Sequence, residues 1–252
     1  MNSGDSATYV GHATVLLELD GTRLLTDPGL RRRVGPLIRH GAAPPAATGE
    51  NLDAVLVSHL HHDHADLGSL RRIGRDTRLL VPPGSRDFFR RRGFGAVTEL
   101  APGESATVGA LTVTAVDADH DGGRRRFAPE PRAIGFHIAG SRRIYFAGDT
   151  DRFPGMADLD PDLDLALLPI WGWGPNIGEG HLDPEGAARA AAALSPRLAV
   201  PIHWGTLYPF GLRRLREGPL RRPPEKFAAA VRDLAPQVEA RVLSPGESTP
   251  LA

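Results

Sequence analysis

The chain has 252 residues, 41% of them apolar, a formal net charge of zero and no cysteine. That length suits one large domain or two small ones with a sizeable core. Disulfides, thiolate zinc sites and cysteine nucleophiles are excluded, and the neutral balance argues against a general attraction to nucleic acid or acidic membrane. The first residues lack the basic and apolar pattern of a signal peptide. No apolar run nears the ~20 residues of a membrane span, so the expected location is the cytoplasm. Lys226 is the only lysine, which reads as the coding bias of a GC-rich genome.

Thr8–Val10, Thr14–Leu19 and Thr22–Thr26 read as short strands, with Asp20-Gly21 as a hairpin turn. Asp27-Pro28-Gly29 stops the run, and Arg31–Glu50, rich in Gly, Pro and Ala, reads as a loop. Asp53–Ser58 is a continuously apolar, buried strand. A short helix is expected over Asp66–Arg72, a strand over Arg78–Val81 and a helix over Ser85–Arg92. Val97–Leu100, Ser105–Val108 and Leu111–Val116 form a second strand cluster. Arg132–Ala139 and Arg142–Ala147 pair across Gly140-Ser141.

Leu163–Leu168 is a buried strand. Asp183–Leu194 is an alanine-rich helix with Asp183 as N-cap and Pro184 at its first position. A strand over Arg197–Pro201, a helix over Glu225–Leu234 and a strand over Glu239–Leu243 complete the chain. Two strand clusters, each followed by helices, predict two packed sheets with helices outside. There is no internal repeat and no strong boundary, so residues 1–252 are read as a single domain.

Ser58-His59-Leu60-His61-His62-Asp63-His64 is the most informative segment. Four histidines and an aspartate directly follow a buried strand, and imidazole with carboxylate suits zinc, manganese or iron. On an extended segment His59 and His61 lie on one side and could share a metal. A turn then lets Asp63 and His64 face a second ion. Seven residues cannot fill two shells, so further ligands are sought where other strands run out. His120, Asp149 after Gly148, and His203 are the candidates. His62 is not counted, and His40 and His137 read as surface residues.

His59-x-His61-x-Asp63-His64, then His120, then Asp149 in Gly-Asp-Thr, then His203, resembles the metallo-β-lactamase superfamily. Gly11-His12-Ala13-Thr14, Thr26-Asp27-Pro28, His181-Leu182-Asp183-Pro184-Glu185 and Pro201-Ile202-His203-Trp204-Gly205-Thr206 narrow the resemblance. They are similar to the branch with the ascorbate-phosphate lactonase UlaG and the N-acyl-phosphatidylethanolamine phospholipase D enzymes. The resemblance implies an α/β fold, a four-layer αββα sandwich. It implies that His59, His61 and His120 hold one divalent metal, that Asp63, His64 and His203 hold another, and that Asp149 bridges them. Zinc is favoured, with manganese or iron as alternatives.

Two such ions share a water, lower its pKa and polarise the bond under attack. Asp63 could orient the resulting hydroxide. His181, in a motif matching the branch, is the candidate to bind an oxyanion or protonate a leaving group. His12 and Asp27 are candidates for orienting ligand imidazoles, with packing or turn roles equally open. Trp171, Trp173 and Trp204 could wall a pocket or pack the core.

Arg124-Arg125-Arg126 could clamp an anionic substrate. Arg213, Arg214, Arg216, Arg221 and Arg222 could meet phosphate or lipid, though a solvated face explains them better. The expected substrate is an anionic small molecule or lipid, a phosphodiester first. A lactone or other carbonyl ester is the alternative, and a di-iron redox protein or a non-catalytic metal-bound binding protein is the alternative of another class. No specific nucleic acid partner is expected, and the sequence leaves the oligomeric state open.

Overall fold

A computed structural model describes residues 4–122, 131–171, 180–211 and 218–251. Arg124–Arg126, Trp173, Arg213, Arg214 and Arg216 lie outside the described residues.

The first half contributes β1 (Ser6–Gly11), β2 (Thr14–Leu19), β3 (Thr22–Thr26), β4 (Arg33–Val34), β5 (Leu37–Arg39) and β6 (Ala54–Leu56). α1 (Leu67–Ile73), β7 (Leu79–Val81), α2 (Arg86–Arg90) and β8 (Val97–Glu99) follow. The second half contributes β9 (Ser105–Val108), β10 (Leu111–Asp117), β11 (Ile134–Ala139), β12 (Arg143–Phe146) and β13 (Leu165–Pro169). Then come α3 (Pro184–Leu194), β14 (Leu198–Ile202), β15 (Leu207–Pro209), α4 (Gly218–Leu234), β16 (Glu239–Ala240) and β17 (Glu247–Pro250).

One seven-stranded sheet has the order β17-β1-β2-β3-β6-β7-β8, and the other β16-β14-β13-β12-β11-β10-β9. In each, antiparallel hairpins give way to parallel strands, from β3 to β8 and from β12 to β16. β10 buries Leu111, Val113 and Ala115 and turns the residues between them outward, the period of a strand with one buried face. β13 and β14 are buried at every position, as expected for parallel strands covered on both sides.

Three apolar clusters define four layers. Leu17, Leu24 and Leu56 of one sheet meet Val113, Phe136, Phe146 and Leu167 of the other between the sheets. Outside the first sheet, Leu25, Val55 and Val81 pack on Leu70 of α1 and Phe89 of α2. Outside the second, Tyr145, Ala166 and Leu168 pack on the alanines of α3 and on Phe227 and Val231 of α4. Fully burying each large apolar side chain contributes about 1.5–3 kcal/mol, and small residues let α3 lie close against both sheet and α4. The fold is the expected αββα sandwich.

The helix starts follow the sequence chemistry. Asp183 caps α3 by accepting from Gly186 N at 2.6 Å, with Pro184 opening the helix. Asp66 caps α1, accepting from Ser69 N at 2.9 Å.

Several elements differ from expectation. Within the expected loop Arg31–Glu50, β4 and β5 form a hairpin, and β15 joins it in a three-stranded sheet. These strands are too short to show a period. β17, also unforeseen, closes the first sheet by pairing with β1. α4 starts at Gly218, before Pro223 and Pro224, which lie inside it; a proline's fixed φ fits a helix even though its missing N–H forfeits a bond. The expected strand Glu239–Leu243 pairs only over Glu239–Ala240.

Candidate metal centre

Six strand ends converge at the site. His12 follows β1, Asp27 follows β3, His59 follows β6, His120 follows β10, Asp149 follows β12 and His203 follows β14. The ends of sheet strands are where backbone leaves its ladder and side chains can be aimed at a ligand. Three of these residues take left-handed backbone: His12 (φ +58°), Asp27 (φ +31°) and His203 (φ +61°). Such conformations are costly for non-glycine residues and gather where surrounding structure enforces them. Gly148, with φ +62°, turns the chain before Asp149, and a Cβ there would stand 2.6 Å from Ser58 Cβ. Only glycine lets the Asp149 turn pack against the His59 strand.

All seven expected ligand residues come together. His59 Nε2 and His61 Nδ1 are 2.9 Å apart, and His120 Nε2 is 3.2 Å from the same His61 nitrogen. On the other side, His64 Nε2 and His203 Nε2 are 3.1 Å apart, each 3.7 Å from Asp63 Oδ2. Asp149 lies between: Oδ2 is 3.1 Å from His64 Nε2 and 4.0 Å from His59 Nε2, and Oδ1 is 3.3 Å from His203 Nε2. His181 Nε2 stands 3.6 Å from Asp149 Oδ2, with its ring edge-on to His120. His59, Asp63, His64, Asp149 and His203 are buried, whereas His61, His120 and His181 are half-buried and form the open side.

The outward nitrogens of the rings are fixed by acceptors. His64 Nδ1–H donates to Asp27 Oδ2 at 2.7 Å, His120 Nδ1–H to Gly180 O at 2.9 Å, and His203 Nδ1–H to Trp171 O. Ser58 Oγ–H donates to Asp27 Oδ2 at 2.6 Å and therefore accepts from His59 Nδ1–H at 2.9 Å. One buried carboxylate, Asp27, thus sets the tautomer of His64 directly and of His59 through Ser58. Ser58, the final residue of the expected strand, was not singled out from sequence, because a serine leaving a strand carries no distinctive signal. His12 orients the carboxylate of Asp63, not an imidazole: its Nε2 lies 2.9 Å from Asp63 Oδ2. Thr150 joins the loops, since Asp119 N donates to its Oγ1 and Leu182 N to its carbonyl.

With their Nδ1 nitrogens turned outward, the Nε2 atoms of His64 and His203 face one another at 3.1 Å, an arrangement that a shared proton or a metal ion satisfies. Asp149 Oδ1 is buried and accepts no hydrogen bond, so it too is turned toward something the protein does not supply. The donors are all nitrogen and oxygen, and they fall within reach of one another in four linked groups: His12, Asp63, His64 and His203; His59, His61 and His120; Asp27, His59 and His64; and His120, Asp149 and His181. The residues therefore fit divalent metal. The electrostatics agree. Burial alone would raise the pKa of Asp149, but the fields of His203 and His64 outweigh it and hold the carboxyl well below its usual range. Asp63 is likewise held low, as His64, His12 and His203 overcome its burial. Burial pushes His12 down to about 3 and His120 down to about 4, and pushes His59 and His61 down too. His64 goes the other way: Asp149, Asp63 and Asp27 outweigh burial and raise it well above its ordinary value.

Residues 22–204 match the family described as the beta-lactamase superfamily domain. The chain belongs to the metallo-β-lactamase superfamily. Within this superfamily it is 32% identical over 252 residues to a UPF0173 metal-dependent hydrolase of Opitutus terrae, covering 96% of this chain and 97% of that one. It is 33% identical over 237 residues to the N-acyl-phosphatidylethanolamine-hydrolyzing phospholipase D 1 of Caenorhabditis elegans, covering 83% of this chain. The chain spans 63% to 66% of the length of the mycobacterial and nematode relatives it matches. Igni18, a metallo hydrolase from Ignicoccus hospitalis, has the same fold, with a TM-score of 0.70, 24% identity and 98% of each chain covered.

Other expectations divide. His62 is exposed and outside the cluster. His137, in β11, is half-buried and paired with Asp160 at 2.8 Å, and His40, just after β5, is half-buried with its ring edge-on to Tyr208; both are less exposed than the surface reading implies. Trp204 stacks on Tyr9 and packs in the core, and Trp171 stacks on Tyr208. Among the described residues, no helix is long and apolar enough to cross a membrane.

Proposed function

We propose that the protein is a phosphodiesterase with two divalent metal ions, zinc in preference to manganese or iron. His59, His61 and His120 would hold one ion and Asp63, His64 and His203 the other, with Asp149 shared. The observation that carries this reading is the carboxylate of Asp149. It reaches both histidine groups and keeps a buried oxygen without a hydrogen bond. Bound there, the ions supply a water of lowered pKa and Lewis-acid polarisation of the bond to be cleaved.

The side chains do the rest. Asp63, held in place by His12, accepts a hydrogen bond from the attacking water and orients it. The buried wall of His59, His64 and His203 excludes bulk solvent from the deep side. Substrate enters over His61, His120 and His181, the half-buried edge. His181 Nε2, on that edge and close to Asp149, donates a proton to the departing oxygen. A phosphodiester is preferred to a lactone because the chain resembles an enzyme named for phospholipid hydrolysis over most of its own length.

Metal-free protein reconstituted with zinc, manganese or iron should take up about two equivalents and hydrolyse bis-p-nitrophenyl phosphate. A phospholipid panel and a lactone panel run beside it decide the substrate class. Uptake of less than one equivalent defeats the dinuclear reading. Faster turnover of lactones defeats the phosphodiester assignment, and oxygen consumption by the iron form defeats hydrolysis.

A further inference from the structure

Three motifs of the sequence are only partly used by the ligands themselves: Gly11-His12-Ala13-Thr14, Asp27-Pro28-Gly29 and His203-Trp204-Gly205-Thr206. They meet at one buried guanidinium. Arg39, the last residue of β5, is 4% exposed, and among the described residues no carboxylate pairs with it. Its Nη1 donates to Val10 O at 3.3 Å and its Nη2 to Gly29 O, while its Nε is buried without an acceptor. A buried cation without a counter-charge is unfavourable, whereas an apolar side chain in the same space is not. What the guanidinium adds is a fork between two backbone carbonyls from different turns.

Those two carbonyls flank the strained residues of the site. Val10 lies two residues before His12, and Gly29 two residues after Asp27, both held at positive φ. Further bonds lock the same junction. His12 N donates to Thr206 Oγ1 at 3.1 Å, His40 N to Thr206 O at 2.7 Å and His203 N to His12 O at 2.8 Å. Thr14 Oγ1 donates to Asp27 O at 2.7 Å and accepts from Gly29 N at 2.9 Å. Gly11 has φ +124°, and a Cβ there would stand 2.6 Å from Thr206 Oγ1 and 3.0 Å from Arg39 Nη1. The approach of Arg39 is thus built into the motif.

We propose that Arg39 is a positioning residue of the metal centre: its fork holds the turns before His12 and after Asp27, and through them sets His12 against Asp63 and Asp27 against His64. This rests on the two-metal reading above. Because His59 reaches the junction only indirectly, through Ser58 and Asp27, and His61 and His120 have no hydrogen bond to it among the described residues, the ion at Asp63, His64 and His203 depends on Arg39 more than its neighbour does.

The test is zinc binding by metal-free protein, followed by competition with a chromophoric chelator, in wild type, Arg39→Gln, Arg39→Lys and Thr206→Val. Wild type should show two binding steps. In Arg39→Gln one step should weaken by about 10–100-fold, the usual effect of removing support for a ligand, while the other moves by less than about threefold. Arg39→Lys, which keeps the charge and loses the fork, should fall between. Thr206→Val should weaken the same step, since it removes the acceptor of His12 N–H. Both steps unchanged in a folded Arg39→Gln protein, or both weakened equally, overturns the proposal. If Arg39→Gln does not fold, unchanged steps in Arg39→Lys and Thr206→Val overturn it. Fewer than two steps in wild type is a different failure, that of the two-metal reading itself.

Discussion

His181 differs from the other site histidines in where it stands. It is on the open edge, beside His120, with its Nε2 3.6 Å from Asp149 Oδ2. A residue that protonates a leaving group is dispensable for metal binding. His181→Ala should therefore keep both metal equivalents and lose about 10²-fold or more in kcat, the usual contribution of a positioned acid. The loss should shrink for a substrate whose leaving group needs no proton, such as p-nitrophenolate. Metal analysis beside kcat on substrates with good and poor leaving groups checks this. A loss of metal would make His181 a ligand.

At this scale the sequence was most legible where chemistry and strand ends coincide. Each of the seven ligand positions follows an apolar run, so residue type and place could be read together. The partners of those residues could not be read. Asp27 and His12 were visible as polar residues at strand ends. That Asp27 would serve two imidazoles, one through Ser58, depends on contacts across 31 to 37 positions of chain. Arg39 gave no signal, because it sits in a segment with the composition of a loop.

At the scale of elements, α1 shows how a short helix is held in place beside the site. Asp66 is its N-cap, and the same carboxylate takes both Arg31 Nε at 2.7 Å and Arg31 Nη2 at 2.6 Å, along with Ser69 Oγ. Burial alone would raise its pKa, but Arg31 and Ser69 outweigh this and leave it below the ordinary aspartate value. A carboxyl held low stabilises the fold above the ordinary pKa of ~3.9, and that contribution is lost as pH falls through the lower folded value. Asp66→Asn should cost about 1–2 kcal/mol at neutral pH, through a weaker cap and the lost pairing with a partly exposed arginine. Urea unfolding of wild type and variant at pH 7 and pH 3.5 checks it: the gap should narrow at the lower pH. A gap that stays constant would mean the carboxylate's charge contributes nothing.

Elements with a period were legible and those without were not. β10 and α3 repeat at two and at about 3.6 residues, so their buried faces show in sequence. β4, β5 and β15 have two or three residues each, and β5 pairs with β15 from the far end of the chain. Nothing local marks such strands; they exist because the larger sheets bring their edges together, and they carry Arg39 to the site.

Over the whole molecule, the two sheets meet the cluster with their strand ends, so metal and fold are coupled. Seven donors from both sheets converge on one volume, and an ion there bonds the halves of the sandwich together. Ligand at about 100 times its dissociation constant stabilises a protein by about 2.7 kcal/mol per site. Two sites then correspond to a rise in Tm of roughly 10–20 °C for a domain of this size. Differential scanning calorimetry with zinc and with chelator should show that gap.

The proton balance of the same event has a definite sign. In the metal-free protein His12 and His120, pushed down to about 3 and about 4, are neutral at pH 7 and have no proton to give up. The unfolded chain protonates those imidazoles from about pH 6.5 downward, so their burial weakens the metal-free fold progressively as pH falls from there toward 4. His64 is opposite. Three carboxylates hold its pKa well above the ordinary value, and it carries a proton at pH 7 in the space between its own Nε2, His203 and Asp149. A metal must take that place, because only a deprotonated imidazole ligates. Zinc binding at pH 7 should therefore release about one proton from the protein. Calorimetric titrations in buffers of different ionisation enthalpy count it directly. An observed enthalpy independent of buffer would show that His64 is already neutral, and that the carboxylates around it are not free to hold its proton before the metal arrives.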